Sequence, residues 1–158
     1  MQITIDILLN NNIIYEIRNV KMRSKYKLFD HTADLGVEIW GKDIKELYEN
    51  AAIFLSDTMV GINNITSKEK KRIIVKSFSK EELFLDWMRE LIYIFTIKEF
   101  LFNKVEIIEF KEKELKSILY GEKRRKHKFK KEIKTPTYHQ FKIEKDKNYL
   151  KVRIIFDV

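Results

Sequence analysis

The chain has no cysteine, one proline and only four glycines in 158 residues. Without thiols it forms no disulfide, carries no thiol nucleophile and holds no Cys-ligated zinc or iron–sulfur cluster, which fits a reducing compartment. The glycines form neither a GxGxxG run nor a P-loop, so a glycine-lined phosphate cradle is not expected. A GxSxG elbow and an HExxH helix are also missing. No apolar run approaches the ~20 residues that span a bilayer. Residues 1–15 lack the basic start and small-residue cleavage site of a signal peptide. A cytoplasmic protein without membrane contact is therefore expected. Carboxylates, lysines and three histidines (His31, His127 and His139) remain as chemical groups. No nucleophile-and-base pair is visible among them, so an independent enzyme is not expected.

Hydrophobic residues make up 44% of the chain and aromatics 13%, enough for one domain with a sizeable core. The net charge is +8, and the run Lys123–Lys131 alone contributes seven cations and no anion. Two readings stay open for this segment. It is a solvated loop, or Lys123, Arg124, Arg125, Lys126 and Lys128 form a phosphate-contacting patch for RNA or an RNA–enzyme complex. Phe129 is its only aromatic, so base-specific reading is not supported.

Residues 1–22 read as a separable extension: a small hairpin about Asn10-Asn11-Asn12, or a mis-assigned start with Met22 as the true first residue. From residue 23 the pattern reads as a single domain. Strands are expected at Tyr26–Phe29 and from Leu35 to Gly41, where apolar residues alternate. Asp43 caps a helix reaching about Met59, with Leu47, Ala51, Phe54 and Leu55 on one face. A strand covering roughly Lys70–Ser77, about Ile73-Ile74-Val75, follows. Ser79 and Glu82 then read as a capping box opening a helix from Lys80 to about Lys98. Further strands are expected at Lys104–Phe110, Leu115–Tyr120, Tyr138–Glu144 and Tyr149–Phe156. The fold class is α+β: two layers, a mixed sheet of six or seven strands with two helices packed on it.

Asp34 and Asp157 stand at the ends of apolar runs. Two carboxylates brought together repel unless a cation or a shared proton lies between them. On residue type alone, each is equally a turn former. If they meet, hard oxygen donors suit Ca2+ or Mg2+ better than zinc, and Mn2+ is a further possibility. Two side chains are too few for calcium, so the terminal carboxylate of Val158, backbone carbonyls, water or a partner's phosphate must complete the shell. His31 is either a base or ligand beside the aspartates or a loop-ordering hydrogen bonder.

Several segments resemble one known family. Phe29-Asp30-His31-Thr32-Ala33-Asp34-Leu35-Gly36 is similar to the HTAD-(I/L/V)-G motif of archeases. Leu83–Tyr93 resembles their tryptophan-containing helix. Gly121-Glu122 resembles their GE turn, Glu132–His139 their EVKA-x-TYH segment, and Ile155–Val158 their terminal DV/DI. Pro136 departs from the pattern; lacking an amide donor, it is expected at an edge or bulge. The loop after Gly121-Glu122 is more basic than is usual. The resemblance implies a non-catalytic accessory protein of tRNA splicing, which promotes guanylylation and turnover of the GTP-dependent RtcB-type ligase. It also implies a chaperone-like link to tRNA methyltransferases, which leaves open an alternative role as a basic RNA-binding chaperone. Asp34, Asp157 and Val158 match the family's metal positions, usually described with calcium. Lys134 matches a lysine associated with activity, and His31 and His139 lie within the same motifs.

Overall fold

A computed structural model of the protein describes residues 25–158 in full, together with the backbone of Tyr15–Ile17 and Val20–Met22. These two short strands, β1 (Tyr15–Ile17) and β2 (Val20–Met22), pair antiparallel with each other. The hairpin expected about Asn10–Asn12 lies outside the described residues. Next come β3 (Tyr26–Phe29), β4 (Leu35–Gly41), α1 (Ile44–Met59), β5 (Glu69–Lys76) and α2 (Lys80–Thr96). They are followed by β6 (Phe100–Phe110), β7 (Glu114–Lys123), β8 (Thr135–Pro136), β9 (Lys142–Asp146) and β10 (Tyr149–Asp157).

The α+β class and the two helices are as expected. The strands, however, divide between two antiparallel sheets instead of forming one mixed sheet. One sheet runs β3-β4-β10, and the far side of β10 is shared end to end by β9 and β8; the other runs β5-β7-β6. Alternation of apolar residues reports which residues face a core but not which strand lies alongside, so strand partners were not legible. The expected strand at Tyr138–Glu144 is also corrected. Residues 138–141 form a turn, with Gln140 at φ +57° and the Phe141 amide donating to the Tyr138 carbonyl at 3.1 Å. The Tyr138 side chain leaves the sheet to reach α2, donating to Glu82 at 3.0 Å and accepting from Arg89 at 3.1 Å.

That contact also alters the expected capping box. Ser79 accepts from the Glu82 amide at 3.2 Å as expected, but the Glu82 carboxylate is engaged by Tyr138 and Arg89. A reciprocal arrangement occurs instead at α1, where Asp43 accepts from the Glu46 amide at 2.9 Å and Glu46 accepts from the Lys42 amide.

The core lies between the helices and the inner faces of both sheets. α1 contributes Leu47, Ala51, Phe54 and Leu55, all fully buried, and α2 contributes Leu83, Phe84, Trp87, Leu91 and Phe95. Burying each large apolar side chain is worth roughly 1.5–3 kcal/mol before chain entropy is subtracted. Trp87 is core, as its spacing indicates, and its indole N–H is satisfied by the Tyr48 carbonyl at 3.0 Å. Gly121-Glu122 is not a turn: both residues lie within β7, opposite the bulge of β6. A Cβ on Gly121 would sit 1.7 Å from the Leu101 carbonyl oxygen, so the glycine is required by the close approach of two backbones. Among the described residues no helix is long and apolar enough to cross a membrane.

Candidate metal and partner site

The site is built by strand register. β4 and β10 pair antiparallel, with Phe156 opposite Leu35. Asp157 is the last residue of β10 and Asp34 the residue just before β4, so both lie at the same end of the larger sheet. On the other side of β10, Asp157 pairs with Thr135, and the Lys134 amide donates to the Asp157 carbonyl at 2.9 Å. The Thr137 amide and hydroxyl both donate to the Ile155 carbonyl at 2.9 Å. Pro136 sits in a two-residue bridge on β10, the marginal position expected for a residue without an amide donor. Three chain segments far apart in sequence thus end together at one edge of the larger sheet.

Asp34 follows a tight turn, with Ala33 held at φ +62° in the left-handed region. A non-glycine residue there costs on the order of 1–2 kcal/mol, and such strain gathers at functional positions. The turn also places His31: its Nδ1 lies 3.4 Å from the Asp34 carboxylate, and its ring centroid is 5.6 Å from that of His139. The 3.4 Å separation falls within ion-pair range, yet Nδ1 is buried without a hydrogen-bond partner. His31, Asp34 and His139 are therefore neighbours, and Asp157 ends β10 at the same end of the sheet. Asp157 and the Lys134 side chain are exposed, and Val158 packs against the core.

These groups match a hard cation in donor chemistry and only partly in number. Asp34 and Asp157 present carboxylate oxygens at one edge, but among the described residues no three His, Cys, Asp or Glu side chains converge tightly enough to hold an ion. A cation here needs further oxygens, from Val158, water or a partner.

The basic segment after β7 is a folded surface with two kinds of cation. Arg124 is committed: it pairs with Glu99 at 3.0 Å and lies over the Phe129 ring at 4.7 Å. Phe129 in turn packs toward Phe95, and the Lys130 amide donates to the Met59 carbonyl at 2.7 Å. His127 pairs with Glu122 at 2.7 Å, and Ile133 is wholly buried. The Thr66 hydroxyl first, and then His127, hold the Glu122 carboxyl below its ordinary range. Lys123, Arg125, Lys126 and Lys128 are exposed and make no ion pair among the described residues. Arg124 is thus removed from the expected contact set by its own partners, and the other four remain open. Sequence reasoning also missed a cleft of about 840 Å3 lined by Ile44, Tyr48, Phe110, Phe141, Ile143 and Leu150. It lies at the opposite end of β10 and none of the expected site residues line it. Apolar residues shared among four elements leave no local motif.

Known proteins resemble this chain in sequence and in fold. Residues 26–158 match the model of the archease protein family (MTH1598/TM1083). The chain is 31% identical over 140 residues to the protein archease of Methanosarcina mazei, covering 85% of this chain and 96% of that one. It is 37% identical over 126 residues to the protein archease of Pyrococcus abyssi, covering 77% and 89%. The solution structure of protein 1598 of Methanobacterium thermoautotrophicum superposes with a TM-score of 0.69 at 29% identity, covering 85% of this chain and 99% of that one. The crystal structure of a Thermotoga maritima protein, described as an archease and possible chaperone, gives a TM-score of 0.57 at 28% identity, covering 88% and 99%. The chain belongs to the archease family.

Proposed function

We propose that this protein is a non-catalytic, cytoplasmic accessory factor that activates a GTP-dependent RNA-splicing ligase of the RtcB type, in tRNA splicing and RNA repair. Its working part is the edge carrying Asp34, Asp157 and Val158. The pairing of β4 with β10 supports the reading: it puts Asp34 and Asp157 at one end of the sheet, where two carboxylates that approach each other call for a cation. The Thermotoga relative's description as a possible chaperone adds support, since such a role needs a partner and no chemistry of its own.

Calcium is the cation we assign to Asp34, Asp157 and Val158, with Mg2+ or Mn2+ as substitutes. When bound, it supplies a positive charge that a ligase or guanylate phosphate completes by coordination. The protein's own residues do the rest. The Ala33 backbone at φ +62° sets the chain direction at Asp34 and pairing with β8 holds the backbone at Asp157, so docking asks only for side-chain adjustment. Lys134 offers an exposed ammonium beside them, suited to a phosphate of the partner's nucleotide. His31 and His139 wall the Asp34 side.

An activator works only through differential affinity for the partner's states. A ~1,000-fold acceleration requires ~4 kcal/mol of preference for the transition-state arrangement. The test is single-turnover guanylylation of the cognate ligase with wild type, Asp34→Ala and Asp157→Ala. Both aspartates are at least partly exposed, so the variants should fold and lose stimulation. Undiminished stimulation by folded variants would defeat the metal-edge mechanism.

A second reading is favoured by the four unpaired cations Lys123, Arg125, Lys126 and Lys128: a basic chaperone that holds tRNA for a tRNA methyltransferase. It predicts tRNA affinity falling steeply with salt and lost when these residues are neutralised. Salt-independent binding would remove it.

A further inference from the structure

β5 forms a free edge. It pairs with β7 on one side, and among the described residues no strand pairs with the other. Such an edge presents a row of main-chain donors and acceptors that another extended polypeptide satisfies in register. Beside it lies a groove of about 460 Å3, with Ile74, Val75 and Lys76 on one wall and Asp86, Arg89, Glu90 and Tyr93 of α2 on the other. Successive strand residues point to opposite faces, so three consecutive residues line a groove only where it follows the strand's edge.

Apolar surface is open here: Ile74 is 57% exposed, Tyr93 42%, and Phe78, just beyond the strand, 95%. The polar groups of the groove are already fixed among themselves. Arg89 pairs with Asp86 at 2.7 Å, and the Ser77 hydroxyl donates to Asp86 at 2.5 Å. An incoming chain therefore meets preorganised walls.

Charge selects the occupant. β5 carries Lys70, Lys71, Arg72 and Lys76 against Glu69; Lys76 is already paired with Glu114 at 3.8 Å, which leaves Lys70 and Arg72 as the outer-face cations of this strand with no ion pair among the described residues. Lys70 shares the Tyr120 ring with Lys104, at 5.4 and 4.9 Å, and the Tyr120 hydroxyl donates to Glu106 at 2.9 Å. A second copy docked on this edge would set cations against cations, which is unfavourable for cross-strand neighbours. A nucleic acid would answer the charge but not the row of main-chain groups.

We propose that the free edge of β5 and the groove beside α2 take up an acidic, extended segment of a partner protein by strand addition. Its carboxylates lie against Lys70 and Arg72 on the outer face, and its alternate, apolar side chains turn to the other face beside Tyr93. The site belongs to the smaller sheet, whereas Asp34 and Asp157 lie on the larger, and it stands whether or not the ligase reading holds.

The probe is a short fluorescein-labelled peptide of alternating valine and glutamate, with a valine–lysine peptide as control. Binding is followed by anisotropy, and strand addition by amide hydrogen exchange over residues 69–76. The glutamate peptide should bind saturably and protect alternate amides of β5. Lys70→Glu with Arg72→Glu, and separately Tyr93→Ser, should weaken it about tenfold while the unfolding midpoint stays unchanged, because these side chains are exposed. No binding, equal binding of both peptides, or binding without new protection in β5 would overturn the proposal. So would displacement by oligouridylate that itself binds more tightly, or dimerisation abolished by Tyr93→Ser, which would assign the edge to RNA or to a second copy.

Discussion

Replacing Ile133 by alanine should unpin the segment that carries Lys134 while leaving every site side chain in place. Ile133 is wholly buried, although Glu132 and Lys134 on either side are exposed. It is the only fully buried side chain between β7 and β8. Removing three carbons forfeits about 2.4 kcal/mol of transfer free energy, at about 0.8 kcal/mol each. The unfilled space raises the total to about 3–4 kcal/mol. At about 3 °C per kcal/mol for a chain of this size, the melting point should fall by about 10 °C. Urea denaturation should show a lower midpoint at unchanged slope. The Lys134 amide, bonded to the Asp157 carbonyl at 2.9 Å, provides the local readout. Its hydrogen exchange should accelerate more than that of core amides in α2, because the anchor is lost before the core opens. A loss below about 1 kcal/mol, or exchange at Lys134 no faster than the global change requires, would refute the anchoring argument.

Gly121→Ala should cost at least about 3 kcal/mol in chemical denaturation, because its Cβ would meet backbone atoms of Leu101 and Phe102 that cannot rotate away. Tyr26→Phe should cost about 1 kcal/mol by removing the 2.6 Å hydrogen bond to Asp57. Burial first, and Asp57 next, hold the Tyr26 phenol above its ordinary value, so it contributes stability below pH ~10 that is lost as pH climbs toward the folded-state value. Stability measured against pH above 10 should therefore fall less steeply in the phenylalanine variant, with the buried Tyr48 phenol, also raised, supplying the remaining slope. In the basic segment, Arg124→Ala should cost about 1 kcal/mol through its Glu99 and Phe129 contacts. Neutralising Lys123, Arg125, Lys126 and Lys128 together should leave the melting point nearly unchanged.

The helices were legible because their apolar spacing and caps are local: Asp43 and Ser79 both accept the amides expected of them. The edge strand at Pro136 was legible for the same reason, since a missing donor is a property of one residue. Sheet membership was not. Nothing in the alternation of Ile73 and Val75 distinguishes pairing with β7 from pairing with β4. Tyr138 misled because its β-forming character was outweighed by two contacts with α2, 49 and 56 positions away. Asp34 and Asp157 were singled out on residue type and family pattern, whereas the pairing of β4 with β10 that puts them at one end of the sheet required the fold. Arg124 shows the converse limit: in a run of seven cations, nothing local marks the one already committed to Glu99 and Phe129.

The order of segments in the larger sheet carries a consequence for how the chain folds. β4 and β10 are spatial neighbours, tied by Arg153 to Glu38 across 115 positions at 2.9 Å. β5, α2, β6 and β7 lie wholly between them in sequence and form their own sheet by shorter connections. Closing a loop of more than a hundred residues is entropically unfavourable until much of that loop is already compact. The smaller sheet should therefore organise first and shorten the effective distance that β10 must travel. Asp34 and Asp157 sit just beyond the last registered pair of this late-forming ladder. A chain trapped before that closure would hold most of its helix and half its sheet, yet have its two carboxylates apart.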